Sequence, residues 1–222
     1  MLVLPWDANL DETEWQNWIG NGHDFGHLAV NGLPGDPPMV VPTHFVHDNN
    51  DLLIHLARPN PVWKAIEHDP NVTFTVTSDY AFIPGTWRVD AHTPPAEGIA
   101  TSYYATVQFN CHAVIIDDTE AKAELLRRQL AHFQPAGDYR PIIADQPPYA
   151  RMLPGIRGLK LRVNNVRAKF KYDDNKPVEH RTAVAERLIA RGQGLDASTA
   201  REQLRRLDRI GTWESSPAKP GA

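Results

Sequence analysis

The chain has 222 residues, 41% hydrophobic and 23% charged, with a formal net charge of −4. That suits one large domain or a domain with a small appendage, and it is an ordinary globular mix able to support a core. A net negative charge argues against a general nucleic-acid coat, and a single cysteine, Cys111, excludes an internal disulfide framework and a cysteine-based zinc site. The N-terminal MLVLPWDANLDETEW has no basic region and meets Pro5 and Asp7 early, unlike a signal peptide. Asp11 suits the N-cap of a short helix over 12–19, with Trp15 and Trp18 at i,i+3 spacing, stopped by Asn21-Gly22. FGHLAVNG (25–32) reads as a strand ending in a turn, PPMVVPTHFVHD (37–48) as the next strand, and LLIHLA (52–57) as a third. Asn60-Pro61 predicts a helix start, the helix running from Val62 to about His68 and stopping before Pro70.

VTFTVTS (72–78) alternates as a strand, and YAFIPGTW (80–87) reads as a separate short strand into a turn at Pro84-Gly85. A Pro-rich loop fills 88–98. TSYYATVQFNCHAVII (101–116), rich in β-branched and aromatic residues, predicts a long strand. Asp118 caps a helix over 119–133 with Ala123, Leu126, Leu130 and Phe133 on one face. A loop spans about 134–148, and GLKLRVNNVRAKFKY (158–172) alternates again. Residues 178–210 are helical and charged, broken at RGQGLDAS, and the tail SSPAKPGA is expected to be disordered. No apolar run approaches the roughly 18–20 residues of a membrane span, so a cytoplasmic protein without a membrane segment is expected. Six or seven strands, mostly joined by short turns, predict a mainly β protein with peripheral helices: a small antiparallel barrel over 1–177, a helical extension over 178–211 and a tail over 212–222.

The segment HLARPNPVWK (55–64) carries unusual density for a connection. Arg58 and Lys64 flank a helix start set by Asn60-Pro61, where main-chain N–H groups are free and the helix dipole is positive. Two cations beside such an end read as an anion site, with phosphate the usual guest, or as a capped helix with two surface cations. His55 ends the preceding strand and could add a hydrogen bond. His23 with His27, and His44 with His47, lack metal-ligand geometry on strands, so no metal site is expected. Cys111 reads as a packing cysteine. Of Tyr103 and Tyr104, adjacent on a strand, one faces the core and the other the opposite side. Arg201, Arg205, Arg206 and Arg209 recur at helical spacing; a solvated helix is expected there, and direct DNA binding is not.

LLIHLARPNPVWKAIEHDPNV resembles the signature of the FMN-binding negative transcriptional regulator family (PaiB-type), within the pyridoxamine-phosphate-oxidase-like split barrels. FGHLAVNG, VVPTHFV with Thr43 and His44, AFIPGTW with Trp87, TSYYATVQFNCHAVIID with Thr101 and Tyr104, and GIRGLKLRVNNVRAKFKYDDNKP follow in the family's order, covering about residues 23–191. The resemblance implies an FMN-binding split-barrel homodimer. The phosphate would lie against Arg58, Asn60 and Lys64. Thr43, His44 and His55 would run along the ribityl chain and ring, and Trp87 with the 101–104 segment, including Tyr103 and Tyr104, would close the isoalloxazine from the partner chain. A flavin-dependent oxidoreductase acting on a small molecule is the expected function, with a ligand-sensing regulator or a haem-binding split-barrel protein as alternatives. The chain departs from the family pattern at Ser102-Tyr103, Gln108, Cys111, Thr86, Arg88 and Asp173-Asp174, mostly where ring or substrate contacts are expected. The two acids would repel an anion unless nearby cations compensate.

Overall fold

The structure, a computed structural model, describes residues 1–89 and 92–214. The tail residues 215–222 therefore lie outside the described residues. The strands are β1 (Phe25–Val30), β2 (Met39–His44), β3 (Val46–Asp48), β4 (Asp51–Ala57), β5 (Asn71–Ile83), β6 (Thr101–Ile116) and β7 (Ile156–Lys171). They form one seven-stranded sheet in the order β2-β1-β5-β6-β7-β4-β3. This is the mainly β class with peripheral helices that the strand pattern predicts, and it fits the split barrel that the resemblance implies, with the sheet open and helices at its periphery: α1 (Glu14–Gly20), α2 (Val62–His68), α3 (Thr119–Phe133), α4 (Tyr149–Met152), α5 (Val178–Arg191) and α6 (Asp196–Ile210).

Two expected elements come out differently. The run PPMVVPTHFVHD is two strands, because the chain changes partner: β2 pairs with β1 in the register Phe25↔His44, whereas β3 pairs with β4 in the register Val46↔Leu53. Phe45 is the pivot, fully buried, its N–H donating to the Asp24 carbonyl at 2.9 Å. Conversely, VTFTVTS and YAFI are one continuous β5. Asp79, buried and left-handed at φ 52, absorbs the irregularity inside the strand without ending it.

The chain divides into two compact units, one of Met1–Glu14, Thr77–Val107 and Ala168–Ala222, the other of Trp15–Val76 and Gln108–Arg167. The second unit buries Leu28, Phe45, Leu52, Ile54, Trp63, Ile66, Phe74, Phe109 and Leu161. Leu28, Phe74, Phe109 and Leu161 come from alternating stretches of β1, β5, β6 and β7, as a sheet with one packed face requires, while β4 buries Leu52, Leu53 and Ile54 in succession. Its helix α3 starts as expected: the Asp118 carboxylate accepts the Ala121 N–H at 2.8 Å.

The first unit buries Ile83, Tyr103, Phe170, Tyr172, Val184 and Leu188, and it also buries charge. Asp174 accepts from Arg181 at 2.6 Å and from Arg206 at 2.6 Å; Arg206 continues to both Glu14 oxygens at 2.8 Å, and Arg205 reaches Glu14 at 2.7 Å. The solvated face expected for the α6 arginines is thus corrected at Arg206, which is 1% exposed. Its partners lie 32 and 192 residues away, so no local spacing could announce the burial. Helix α5 closes on Gly192 at φ 58, whose N–H returns to the Leu188 carbonyl at 3.0 Å, a left-handed cap that glycine adopts at little cost. Trp213 donates its N–H to the Asp174 carbonyl at 2.8 Å and meets the Trp6 ring at 5.7 Å. Among the described residues, no helix is long and apolar enough to cross a membrane.

Candidate functional site

The connection from β4 into α2 is built around Asn60. Its Oδ1 accepts the Val62 N–H at 3.1 Å, satisfying one of the helix's orphan donors. Trp63 is buried and donates its indole N–H to the Ala57 carbonyl at 2.9 Å, pinning the first turn of α2 to the end of β4. Arg58 is already engaged. Its Nε donates to the Pro154 carbonyl at 2.8 Å and its Nη2 to Asp117 Oδ1 at 3.0 Å. Arg157 takes the other Asp117 oxygen at 2.6 Å, reaches Glu67 at 2.7 Å and lies 5.1 Å from the Trp63 ring centroid. Lys122 sends its ammonium to the Leu153 carbonyl at 2.6 Å and the Ile156 carbonyl at 3.3 Å.

Charge is therefore concentrated here. The Arg157 hydrogen bonds, with Arg58 helping, hold the Asp117 carboxyl below its usual range. Burial, then repulsion from Arg58, holds the Lys122 ammonium below its usual pKa. Lys64 is exposed on α2 and has no ion partner among the described residues. Of the residues singled out in this segment, the structure brings Arg58 and Asn60 to the start of α2. It adds Lys122, Arg157 and Asp117, which had no sequence signal because these contacts join residues 31 to 59 positions apart.

A second feature of the same unit is a cavity of about 450 Å³ lined by His44, His55, Leu126, Gln129, Leu130 and Phe133. Of the apolar face read on α3, Ala123 is fully buried and Leu126 and Leu130 pack against its cluster, whereas Phe133 stays outside. The buried positions are Lys122, Ala123, Leu125 and Gln129, while Leu126 and Leu130 are half-buried and Phe133 is 39% exposed. The helix is turned this way because Lys122 and Gln129 find inward hydrogen-bond acceptors. Gln129 donates to the Leu53 carbonyl at 3.2 Å and accepts from His55 Nδ1 at 2.6 Å. His44 meets the His55 ring at 5.5 Å and the Phe133 ring at 5.0 Å. Thr43 is buried, its hydroxyl donating to the His44 carbonyl at 3.1 Å.

Burial, then repulsion from His55, depresses the His44 pKa below 6.5, and burial depresses that of His47. Below pH 6.5 the unfolded chain thus binds protons that the folded chain refuses. The stability these rings contribute is complete above pH 6.5 and is lost as pH falls toward their folded values. Melting temperature is expected to drop between pH 7 and 5, and His44→Phe to flatten that slope; an unchanged slope in the variant would mean that His44 titrates as an open surface histidine.

In the first unit, Trp87 sits in the turn Gly85–Trp87, held close to Gly98: a Cβ on Gly85 would lie 2.1 Å from the Gly98 oxygen. Thr101 Oγ1 accepts from Lys171 at 2.8 Å. Tyr103 is the core member of the tyrosine pair, fully buried with its hydroxyl donating to Asp173 at 3.0 Å. Tyr104 is half-buried beside the Lys169 and Lys171 ammoniums at 5.7 and 6.0 Å. Asp173 also receives Arg88 at 3.0 and 2.8 Å. Burial pushes its carboxyl up, and contacts from His180, Arg88 and Tyr103 outweigh that and hold it below the usual range. The acids at 173–174 are thus both compensated, Asp173 by Arg88 and Asp174 by Arg181 and Arg206. Burial, with Asp51 adding to it, pushes the thiol of Cys111 in the other unit up to about 12, which suits packing and not nucleophilic attack.

A protein-family model described as "Putative FMN-binding domain" matches residues 3–165. Among solved structures, the flavocytochrome Anf3 from Azotobacter vinelandii is 21% identical with a TM-score of 0.58, covering 75% of this chain and 70% of that one. The FAD and heme binding protein from Mycobacterium smegmatis is 15% identical with a TM-score of 0.54, covering 74% and 73%. A candidate 5-nitroimidazole antibiotic resistance protein from Bacteroides thetaiotaomicron is 17% identical with a TM-score of 0.54, covering 73% and 85%. At these identities the likeness is one of fold. No curated protein matches the chain.

Proposed function

The chain belongs to the FMN-binding domain family, and from that premise we propose that it binds FMN as a homodimer and uses it as an oxidoreductase of a small molecule. The observation that carries this reading is the crowding of Arg58, Arg157 and Lys122 about Asp117, beside the Asn60-capped start of α2 with Lys64 unpaired nearby. Burial, and to a lesser extent Arg58, already lowers the Lys122 pKa against the pull of Asp117 and Asp118, and a phosphate would add negative charge beside that ammonium and the two guanidinium groups. The phosphate would share Arg58 with Asp117 and engage Lys64 and the Asn60 region. Thr43, His44 and His55 would face the ribityl chain and ring. A second copy would contribute its 101–104 segment, in which Tyr104 is the open tyrosine.

Bound FMN supplies hydride and one-electron chemistry; the protein holds, orients and shields it. In the test, the purified protein is expected to show flavin absorbance, retained or restored on adding FMN and bleached by a reduced nicotinamide. A colourless protein that refuses FMN would overturn the reading. Retained FMN that no reductant bleaches would favour the ligand-sensing, regulatory alternative.

A haem reading has one observation in its favour. His55 Nδ1 donates to Gln129 in the wall of an apolar cavity, which leaves Nε2 as the lone-pair nitrogen of the neutral ring. An imidazole oriented through its other nitrogen is how metal-bound histidines are held. A Soret band that disappears in His55→Ala would support it; no band after incubation with hemin would exclude it.

A further inference from the structure

The first unit contains a cavity of about 600 Å³ whose walls include Trp87 and Arg88 from the turn after β5, and Lys176, His180 and Arg187 from α5 and the loop before it. Its lining residues on α5 and the loop before it lie beyond residue 165, where the family match ends, and none of them takes part in the FMN placement proposed above.

Two features of its wall point to an anion. Arg88 is spent on Asp173, but Lys176 and Arg187 are exposed and have no carboxylate partner among the described residues. Against these two cations the wall carries one open carboxylate, Glu179. His180 Nε2 is buried without a hydrogen-bond partner, its nearest carboxylate oxygen, on Asp173, standing 3.9 Å away. That nitrogen is turned to Asp173 and closed to solvent, so His180 contributes an imidazole to the wall and leaves the open cations to Lys176 and Arg187.

A third feature points to a ring. The Trp87 indole lines the same cavity and is held in place. Arg191 lies 4.9 Å from its centroid and is itself fixed by paired bonds to Asp196 at 2.7 and 2.6 Å and by the Phe82 carbonyl at 2.9 Å. Arg187 lies 6.0 Å from the same centroid, so a planar group against the indole is within reach of a cation. We infer that this cavity is a second ligand site, for a small aromatic anion whose ring packs on Trp87 and whose phosphate or carboxylate is taken by Arg187 and Lys176.

The test is calorimetric titration of the full-length protein, saturated with FMN, with AMP, benzoate and inorganic phosphate as separate probes. AMP or benzoate is expected to bind, which of the two identifying the anionic group, and inorganic phosphate to bind at least about tenfold more weakly. Arg187→Ala and Lys176→Ala should each weaken the organic probe about tenfold, and Trp87→Ala should remove it. Arg209→Ala, outside the cavity, should leave it unchanged. Arg187 and Lys176 are surface residues, so circular dichroism of these variants should match the parent. The site is refuted if neither organic probe binds, if Arg187→Ala and Lys176→Ala leave binding intact, or if inorganic phosphate binds as tightly as AMP. FMN affinity separates this site from the flavin site: it should stay within about twofold in Arg187→Ala. If Arg187→Ala weakens FMN and Arg58→Ala does not, this cavity is the flavin phosphate site, and the second site falls together with the placement at Arg58.

Discussion

Arg206→Ala is expected to destabilise the protein by about 3–5 kcal/mol, because it strips the shared partner from two carboxylates that water does not reach. Asp174 and Glu14 are both fully buried, and Arg206 joins them with bonds of 2.6 and 2.8 Å while donating to the Ala8 carbonyl at 3.0 Å. Burial already pushes the Asp174 carboxyl upward, with Arg206 the largest of the charges opposing it. In the variant, Asp174 keeps Arg181 and Glu14 keeps Arg205, but neither acid is fully paired. The loss should appear in urea unfolding as a lower midpoint with an unchanged slope. Arg209→Ala is the control: its bond to Asp11 at 2.5 Å is between two half-exposed side chains, and exposed pairs contribute little. A loss under about 1 kcal/mol in Arg206→Ala would mean that the network is not what holds α6 and the N-terminal segment in place.

Arg58→Ala combined with Lys64→Ala is expected to weaken FMN binding by roughly 100-fold. Charge-assisted bonds to a phosphate are worth about 1.5–3 kcal/mol each, and the lower end applies, since Arg58 is 45% exposed and already shared with Asp117. Each single variant should account for about tenfold. Fluorescence quenching of FMN by the protein gives the dissociation constants directly. Asp117→Asn should act the other way, freeing Arg58 and Arg157 for the phosphate and tightening FMN modestly. Unchanged affinity in the double variant would put the phosphate elsewhere, and looser binding in Asp117→Asn would show that the carboxylate's main role is to position the two guanidinium groups.

These two expectations differ in how visible their residues were. Arg58, Asn60 and Lys64 stand within seven positions, and an asparagine ahead of a proline and an apolar-periodic run is a local signal with a local cause, the orphan N–H groups of a helix start. The Asp118 cap was readable for the same reason. Arg206 was not: nothing in the spacing of REQLRRLDR distinguishes an arginine facing water from one facing Glu14, and helical periodicity alone marks all four arginines as one charged face. The α3 face was readable only in part. Ala123, Leu126 and Leu130 pack as their spacing suggests, but nothing local announced that Lys122 and Gln129 would also turn inward, to acceptors at Leu153, Ile156 and Leu53.

The sequence by itself determined most of the strand segments, the Asp118 and Asn60 caps, the antiparallel class and the cation-rich connection after β4, because each rests on interactions within a few residues: alternation, caps and φ restriction. Tertiary structure alone decided where the chain changes strand partners at Phe45, which tyrosine of the pair is core, and which arginines are buried. It also brought Asp117, Lys122 and Arg157 to Arg58, and Trp87 to Arg187. Those outcomes depend on pairing between distant segments, where the cost of burying a charge is met only by a partner whose arrival no local pattern encodes.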